Sequence, residues 1–520
     1  MEKRILAAAV LSALFLAVYA QGSTKIFHAT PIQQQIKQQN SSPGVHEEQA
    51  KSGAIIMLQP IIQEEVIAIK SEIMALEVGK ATGAVRRATL TLKRPRGNEE
   101  IVFAGQVPLL AFRSQEGALT FRVEEQFPNS VRFVATSGIN SYHISYSLDE
   151  SNPLLNIMIT KIHEGNNSNN WHLFMTNAWF KADKLPARYN QLELFTLYKN
   201  KNSKTTHRHY IGPFKSAKNV PRGTIGAALS ERYFCAVLKP SNGMIEVSPI
   251  QSPPESIAIE TLIQPMSSTG STSTYSTALY IGPRDFFYLR KANLEDAFPM
   301  GALRQLGLIM LVALSWIARI TRNYGVAIVL FSGLITLLMS PFTMLSYRSM
   351  KKMQELKPQL DRIMAKHKDD TKKANQEIFA LYKAQRVSPI SGCLPMLLQM
   401  PIFIALFQAI SHFIELRGQP FLWITDLSLP DRIAQLPAAL PILGRDLNIL
   451  PIIMAVAMYV QTRTSQQNMP SAGTNPQANM LAGPMMPVLF GVMFYQFPSG
   501  LVLYWLTNSL MSMLWYRLAR

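Results

Sequence analysis

The chemistry that this sequence offers is concentrated in hydroxyl side chains within a long apolar run. Ser332, Thr336, Ser340, Thr343 and Tyr347 follow one another at spacings of 4, 4, 3 and 4 residues, which places them on one face of a helix. An unsatisfied polar group in hydrocarbon is costly, so this face should contact protein, trapped water or a passing polypeptide. Two interpretations stay open: close packing between helices, or one wall of a polar groove.

Three polar residues in other apolar runs are candidates for the same space. Gln399 lies in the run from Leu394 to Phe413, and Asn508 and Ser512 lie four positions apart in the last run. With Ser332, Thr336, Ser340 and Thr343 they make up the predicted substrate groove.

Sequence motifs of enzymes are missing from the part of the chain that precedes the apolar runs. It contains no GxSxG, no HExxH and no glycine-rich phosphate loop. Glu124 and Glu125 point to opposite faces of a strand, which indicates solvated charge rather than a catalytic pair. Cys235 and Cys393 belong to no CxxC motif and no Cys/His cluster, so neither a disulfide framework nor a zinc site is supported. We predict a protein that is not an enzyme, with no catalytic residue, no metal and no cofactor.

The composition indicates that part of the chain lies in lipid. Of the 520 residues 48% are apolar and only 16% are charged, against about 25% charged in an average soluble protein. The net charge of +18 suits nucleic acid, anionic lipid or the cytoplasmic loops of a membrane protein. Composition does not choose among these three.

The apolar runs are confined to the second part of the chain. They are Leu306–Ala318, Val326–Ser346, Leu394–Phe413, Leu447–Val460, Met480–Gln496 and Leu501–Tyr516. The first run has 13 residues, a length that favours an interfacial amphipathic helix, assigned to residues 294–322, over a membrane span. The other five runs are predicted spans.

The segment 348–386 is predicted to be a basic helical hairpin on the cytoplasmic side. It holds eleven basic and five acidic residues, a net charge of +6, and such loops stay inside. Its apolar residues recur every three to four positions, and Asp369-Asp370-Thr371 indicates a turn and N-cap. The hairpin is either a solvated loop or a docking surface for a ribosomal or anionic partner. The candidate docking residues are Lys351, Lys352, Lys357, Arg362, Lys366, Lys372 and Lys373.

The first part of the chain is predicted to be exported. Residues 1–21 contain the apolar run Ile5–Ala20 after Lys3-Arg4, which is either a cleaved signal peptide or a retained anchor. Residues 22–53 carry Gln33-Gln34-Gln35, Gln38-Gln39-Asn40 and Ser41-Ser42, and they indicate a flexible linker. Residues 54–290 carry short runs of alternating polarity between turn residues such as Pro128-Asn129-Ser130 and Ser241-Asn242-Gly243, which favours an antiparallel β-sandwich.

Several motifs then point to a known family. They are Met353–Pro358, Leu381-Tyr382-Lys383, Gly392-Cys393-Leu394-Pro395, Gln399-Met400-Pro401-Ile402-Phe403, Asp426-Leu427-Ser428, and the run Phe497–Tyr504 with Asn508. In their order and in their positions along the apolar runs, these motifs resemble those of the YidC insertases of Gram-negative inner membranes. The resemblance is dense from about Asn323 to Tyr516. The exported region is similar more loosely, through Ala228–Phe234 and Tyr280–Pro283.

The resemblance implies a polytopic α-helical membrane protein with a five-helix insertase core over residues 323–520, an uncleaved N-terminal anchor helix and a large periplasmic all-β supersandwich domain. It implies a multi-pass protein of the bacterial inner membrane, with its N-terminus in the cytoplasm. The implied function is to insert and help fold nascent membrane proteins through a groove open to cytoplasm and lipid, alone or with the Sec translocon.

Other implied partners are a ribosome or the signal recognition particle receptor and anionic lipids, with no direct sequence-specific nucleic acid. The alternatives are a secondary transporter, which would need buried ionisable residues or an internal repeat, and a membrane-anchored carbohydrate-binding protein.

One position departs from the family. Its members typically carry an arginine in the first core helix, and alignment on Asn323-Tyr324-Gly325 and Pro341 places Thr336 there. No charged residue occurs between Asn323 and Tyr347, so attraction of acidic substrate segments by that arginine does not carry over.

Overall fold

A computed structural model describes most of the chain from Glu64 to Leu518. The described residues are 64–94, 97–105, 107–113, 119–163, 171–176, 193–199, 206–210, 224–241, 246–252, 256–263, 267–269, 271–299, 303–367, 370–385, 394–440, 444–466 and 485–518. The predicted anchor 1–21 and linker 22–53 lie outside them and stay predictions. The chain forms two units, Met1–Phe298 and Pro299–Arg520.

The first unit is built from two antiparallel sheets, with eight and ten strands among the described residues. The strands of the smaller sheet are β1 Val66–Lys70, β2 Met74–Gly79, β3 Val85–Arg94, β4 Gly97–Ala104, β5 Leu110–Arg113, β10 Trp171–Thr176, β15 Glu246–Ser252 and β16 Ser256–Ile263. Those of the larger sheet are β6 Arg122–Phe127, β7 Ser130–Ser137, β8 Asn140–Leu148, β9 Leu154–Ile162, β11 Glu193–Lys199, β12 Thr206–Tyr210, β13 Thr224–Ser230, β14 Phe234–Pro240, β17 Ser267–Thr269 and β18 Thr272–Pro283.

The sheets pack face to face through the alternating residues of their strands. In β8 every second residue is buried, and Tyr142 meets the Trp171 indole of β10 edge to face with ring centroids 5.4 Å apart. Tyr146 likewise contacts Phe112 of β5. The predicted antiparallel sandwich is thus confirmed in its general form, and the turn at Pro128–Asn129 does join β6 to β7. The predicted turn at Ser241–Gly243 extends outside the described residues.

The described residues of the second unit form helices and one short hairpin, β19 Ala434–Leu440 with β20 Gly444–Leu447. A short helix α1, Phe286–Lys291, closes the first unit. The helices of the second unit are α2 Arg304–Thr321, α3 Tyr324–Glu355, α4 Lys357–Lys366, α5 Thr371–Ala384, α6 Leu394–Ser411, α7 Leu450–Gln466, α8 Met485–Phe494 and α9 Ser499–Leu518.

Local sequence explains the boundaries of α3. Asn323 is its N-cap, since the side-chain oxygen accepts hydrogen bonds from the backbone N–H groups of Gly325 and Val326. At the other end Pro358 has no N–H to continue the helix, so α3 ends at Glu355 and α4 starts after a break. The first arm of the predicted hairpin 348–386 is therefore the end of α3 plus α4, rather than one helix.

Two of the described helices, α2 and α3, are long and apolar enough to cross a membrane. The helix α2 has 18 residues, so the 13-residue run of the sequence underestimates it. The length of α2 therefore fits either an interfacial helix or a span, and the interfacial assignment of residues 294–322 stays a prediction. Shorter apolar helical segments are Leu398–Ser411, Leu450–Arg463 and Met485–Phe494. The predicted division of the last two runs near Phe497–Gly500 is confirmed, because α8 ends at Phe494 and α9 begins at Ser499.

Candidate functional site

The polar stripe, which we define as Ser332, Thr336, Ser340 and Thr343, lies along α3 with a gradient of burial. Ser332 is 0% exposed and Thr336 is 8% exposed, whereas Ser340 and Thr343 are partly exposed. Burial of the stripe therefore falls from Ser332, near the Asn323 end of α3, to Ser340 and Thr343. The side chain of Tyr347 lies outside the described residues.

The enclosed half of the stripe is bonded to α9. The Ser332 hydroxyl donates to the backbone carbonyl of Tyr504 over 3.0 Å. The Thr336 hydroxyl lies 3.1 Å from Asn508 Oδ1 and 2.8 Å from the Ser332 carbonyl, so it donates to one of these at a time. Ser512 Oγ lies 3.5 Å from the same Asn508 oxygen. Four of the seven predicted groove residues are therefore brought together between two helices.

Gln399 joins this group through Tyr504, which was not among the predicted groove residues. Its Nε2 donates to the Tyr504 hydroxyl over 2.6 Å, which links α6 to α9. Tyr504 is fully buried, and its position in the family-like run Phe497–Tyr504 was the signal available in the sequence. Thr343, by contrast, donates to the Met339 carbonyl of its own helix over 3.0 Å and contacts none of these residues in this way.

A second polar cluster, the loop network, ties together the ends of the helices near Asn323. The buried carboxylate of Asp431 accepts hydrogen bonds at Oδ2 from the backbone N–H groups of Ile449 and Leu450, at 3.0 and 2.9 Å, and so caps α7. The indole of Trp423 donates to the same oxygen over 3.3 Å. The loop 412–449 is thereby held against the start of α7.

Asn448 and Ser499 extend the loop network to α8 and α9. Asn448 is 1% exposed, its Nδ2 donates to the Tyr495 carbonyl over 2.7 Å, and its backbone N–H donates to the Tyr495 hydroxyl over 3.1 Å. The Ser499 hydroxyl donates to the Leu429 carbonyl over 2.6 Å. These bonds join segments far apart in the chain, so sequence spacing offered no signal for them.

The segment 348–386 forms the predicted helical hairpin. Met353, Leu356, Leu360 and Tyr382 make a buried apolar cluster between its arms. Asp370 is the N-cap of α5, because its side chain accepts from the Lys373 N–H over 3.0 Å, as predicted; Asp369 lies outside the described residues. The seven candidate docking residues, six lysines and Arg362, are all exposed.

The two arms of the hairpin are also joined by an ionic contact. Glu377 Oε1 lies 3.2 Å from Lys366 Nζ and 3.0 Å from His367 Nε2. Hydrogen bonds from Lys366 and then His367 lower the pKa of Glu377 below its usual value. Because the folded pKa is depressed, this contact stabilises the hairpin above the ordinary glutamate pKa and is lost as the pH falls through the lowered value.

No group of three or more His, Cys, Asp or Glu side chains is arranged to hold a metal ion within the described ranges. What the site offers is hydroxyl and amide groups between apolar helices, enclosed at one end. Hydroxyl and amide groups of this kind can donate and accept hydrogen bonds.

Residues 316–518 match the sequence profile of the 60Kd inner membrane protein family. Proteins named "Membrane protein insertase YidC" are similar to longer parts of the chain. That of Syntrophobacter fumaroxidans is 41% identical over 244 residues, 46% of this chain and 43% of the relative. That of Geobacter metallireducens is 32% identical over 337 residues, 63% of this chain and 58% of the relative. The chain thus spans about half the length of the curated relatives it matches.

Solved structures show weaker likeness. A crystal structure of an active YidC insertase with its first transmembrane domain resolved is 19% identical, with a TM-score of 0.37, covering 89% of this chain and 96% of that one. The periplasmic domain of the Thermotoga maritima YidC is 11% identical, with a TM-score of 0.24, covering 46% and 94%. The sequence matches show that residues 316–518 are similar to the 60Kd inner membrane protein family, and that about half of the chain is similar to proteins named as YidC insertases.

Proposed function

We propose that the protein is an insertase and assembly chaperone for membrane proteins, and that the polar stripe is the path of the client's hydrophilic segment. The observation that carries the proposal is the gradient of burial from Ser332 to Thr343, together with the loop network at the enclosed end. A groove closed at one end and open at the other lets a polar segment enter the membrane without opening a pore. The name shared by the relatives, membrane protein insertase, supports the same activity.

The energetics of this route need no nucleotide. A polar indentation shortens the apolar distance that a hydrophilic tail must cross, because hydroxyl and amide groups replace part of its water. The client's own apolar segment supplies the free energy by leaving water for lipid, at about 25 cal/mol per Å² of buried apolar surface. The stripe and its partners Asn508, Ser512 and Gln399 then lower the barrier without changing the end state.

Reconstitution tests the proposal directly. The purified chain in lipid vesicles is expected to insert a small newly synthesised membrane protein, seen as a protease-protected fragment. Empty vesicles and vesicles with heat-denatured protein are the controls. Equal protection in all three preparations would contradict the proposed function.

The groove of this chain is proposed to work through polarity alone, since Thr336 stands where the family carries an arginine. Thr336 is buried, one turn from the partly exposed Ser340, with oxygen atoms of Asn508 and Ser512 beside it. If water reaches Thr336 from the Ser340 side, Thr336→Arg should be tolerated. A charge at a lipid-facing or dry mid-membrane position would instead cost at least about 2.5–3.5 kcal/mol. Expression and protease resistance measure the outcome, and loss of the folded protein would show that the site is dry.

The proposed topology places the hairpin in the cytoplasm and the β unit in the periplasm. It rests on the +6 charge of segment 348–386 and on the one predicted span, Val326–Ser346, between this segment and the β unit. Cysteines introduced for Ile139, which is 71% exposed, and for the exposed Lys372 should react with an impermeant reagent from opposite sides of inner-membrane vesicles. Labelling of both from one side would contradict this topology.

The hairpin is proposed to receive nascent chains at the membrane surface, with ribosomes, the signal recognition particle receptor or the Sec translocon as partners. Within the described part of the hairpin the basic residues in ion pairs are Lys366, His367 and Lys373. Changing the exposed Lys357, Arg362 and Lys372 to Gln should therefore leave the apolar cluster intact. Each basic group near an anionic surface contributes about 1 kcal/mol. The variant should bind ribosomes and anionic vesicles more weakly in sedimentation assays, and unchanged binding to both would indicate a solvated loop.

We propose the following domain boundaries. Residues 1–21 are proposed to be a retained anchor, 22–53 a linker, 54–290 the periplasmic β domain and 323–520 the insertase core. N-terminal sequencing of the membrane-bound protein tests the first of these, because a cleaved signal peptide would leave a new N-terminus near Gln21.

A further inference from the structure

A tight turn in the loop between α6 and α7 displays two large apolar side chains. Phe421 and Ile424 exchange two backbone hydrogen bonds of 2.9 Å, which closes the turn. Leu422 at its tip has a φ of 53°, a left-handed conformation that is rare for a bulky residue. Leu422 is 74% exposed and Trp423 is 42% exposed.

The turn is fixed to the neighbouring ends of two apolar helices. The Phe421 ring lies against Gly325, the second residue of α3, so closely that no Cβ fits at that position. The Trp423 indole N–H donates to Asp431, whose carboxylate also caps Leu450, the first residue of α7. The position of the tip relative to both helices is therefore set by direct contacts.

The apolar surface of the tip continues along these helices. Val326 in the first turn of α3 is 37% exposed, and Ile452 and Ile453 in the first turn of α7 are 47% and 37% exposed. The exterior of two apolar helices is the surface that meets lipid. Leu422 and Trp423 lie where that surface ends.

Lipid fits this surface because of how the indole is arranged. Trp423 has its N–H paired with a carboxylate while the ring stays open, and side chains with an apolar body and a satisfied polar edge concentrate at the membrane–water boundary. The exposed polar residues of the hairpin β19–β20 nearby, such as Gln435, have no such character.

We propose that the turn Phe421–Ile424 is inserted in the outer leaflet of the bilayer, at the boundary of headgroups and acyl chains, and anchors the outer ends of α3 and α7 there. Contact with lipid follows from the exposed apolar surface alone. The assignment to the outer leaflet rests on the topology proposed above.

Fluorescence in vesicles tests the lipid contact. Leu422→Cys, in the full chain with Cys235 and Cys393 changed to Ala, is labelled with an environment-sensitive dye and reconstituted in phosphatidylethanolamine and phosphatidylglycerol. Its emission should be shifted to the blue and should be largely lost when nitroxide lipids are added, more with a shallow nitroxide than with a deep one. The matched probe at Gln435→Cys should emit as in water and keep its intensity. A Leu422 probe that emits as in water and keeps its intensity with nitroxide lipids would overturn the proposal.

A second measurement needs no label at the tip. Brominated lipids should quench the part of the tryptophan emission that Trp423→Phe removes; if that part is not quenched, the proposal is wrong. For the leaflet, an impermeant reductant should bleach the Leu422→Cys dye from the same side as a dye at Ile139→Cys. If the probe is quenched by lipid but bleached from the Lys372 side, the outer-leaflet assignment is wrong. Insertase activity is measured separately by reconstitution, so this outcome does not bear on the proposed function.

Discussion

Replacing Ser332, Thr336 and Ser340 together by Ala, Val and Ala is expected to reduce client insertion severalfold while the protein stays folded. The substitutions nearly keep the side-chain volumes, so the contact between α3 and α9 is preserved. The lost hydroxyl of Ser332 was a donor to the Tyr504 carbonyl, and loss of such a hydrogen bond typically costs only about 1 kcal/mol. What changes most is the polarity of the path. Protease protection of a small client in reconstituted vesicles measures the effect.

The matched control is Thr507→Val in α9. Thr507 is 6% exposed, and its hydroxyl donates to the Leu503 carbonyl of its own helix over 2.9 Å. This change removes a buried hydroxyl outside the stripe and should leave insertion unchanged. Normal insertion by the triple variant would mean that the stripe is only packing between helices.

Asp431→Ala is expected to give the largest loss of stability in the helical unit. It leaves the N–H groups of Ile449, Leu450 and Trp423 without their carboxylate partner. A buried group left unpaired costs about 1–3 kcal/mol, and loss of a helix N-cap costs about 0.5–2 kcal/mol. Thermal unfolding in detergent should therefore occur at a clearly lower temperature, and α7 should become more accessible to protease at its first turn.

Arg445→Ala is the control for this variant. Arg445 is an exposed charged residue of the same loop, on β20, and its removal should not change the unfolding temperature. If Asp431→Ala unfolds at the same temperature as Arg445→Ala, the loop network does not hold the helix ends together.

Local features of the structure were predictable from the sequence because they depend on neighbouring residues. The alternation of β8 places every second residue in the core, and Asp370 caps α5 with a partner three residues away. The spacing of Ser332 and Thr336 placed both on one face of α3. Each of these features depends on the periodicity of a strand or helix, or on a capping residue within one helical turn of its partner.

Contacts between distant segments were not predictable in the same way. Ser332 bonds to Tyr504 and Thr336 to Asn508, each pair 172 residues apart. Asp431 caps α7 although it lies 19 residues before Leu450. A typical N-cap residue immediately precedes its helix. The strand order of the sheets also depends on pairings between distant strands, such as β10 with β16. The sequence of one strand does not indicate its partner.

The path of the client is the central claim, and crosslinking from the stripe tests it most directly. A photoreactive amino acid at Ser340 should crosslink to the hydrophilic segment of a ribosome-bound client during insertion. The same group at Leu338, which lies two residues away on α3 and is 63% exposed, should crosslink mainly to lipid. Client crosslinks from Ser340 but not from Leu338 are the result predicted here. Client crosslinks from Leu338 alone, or from neither position while insertion proceeds, would contradict a polar path along α3.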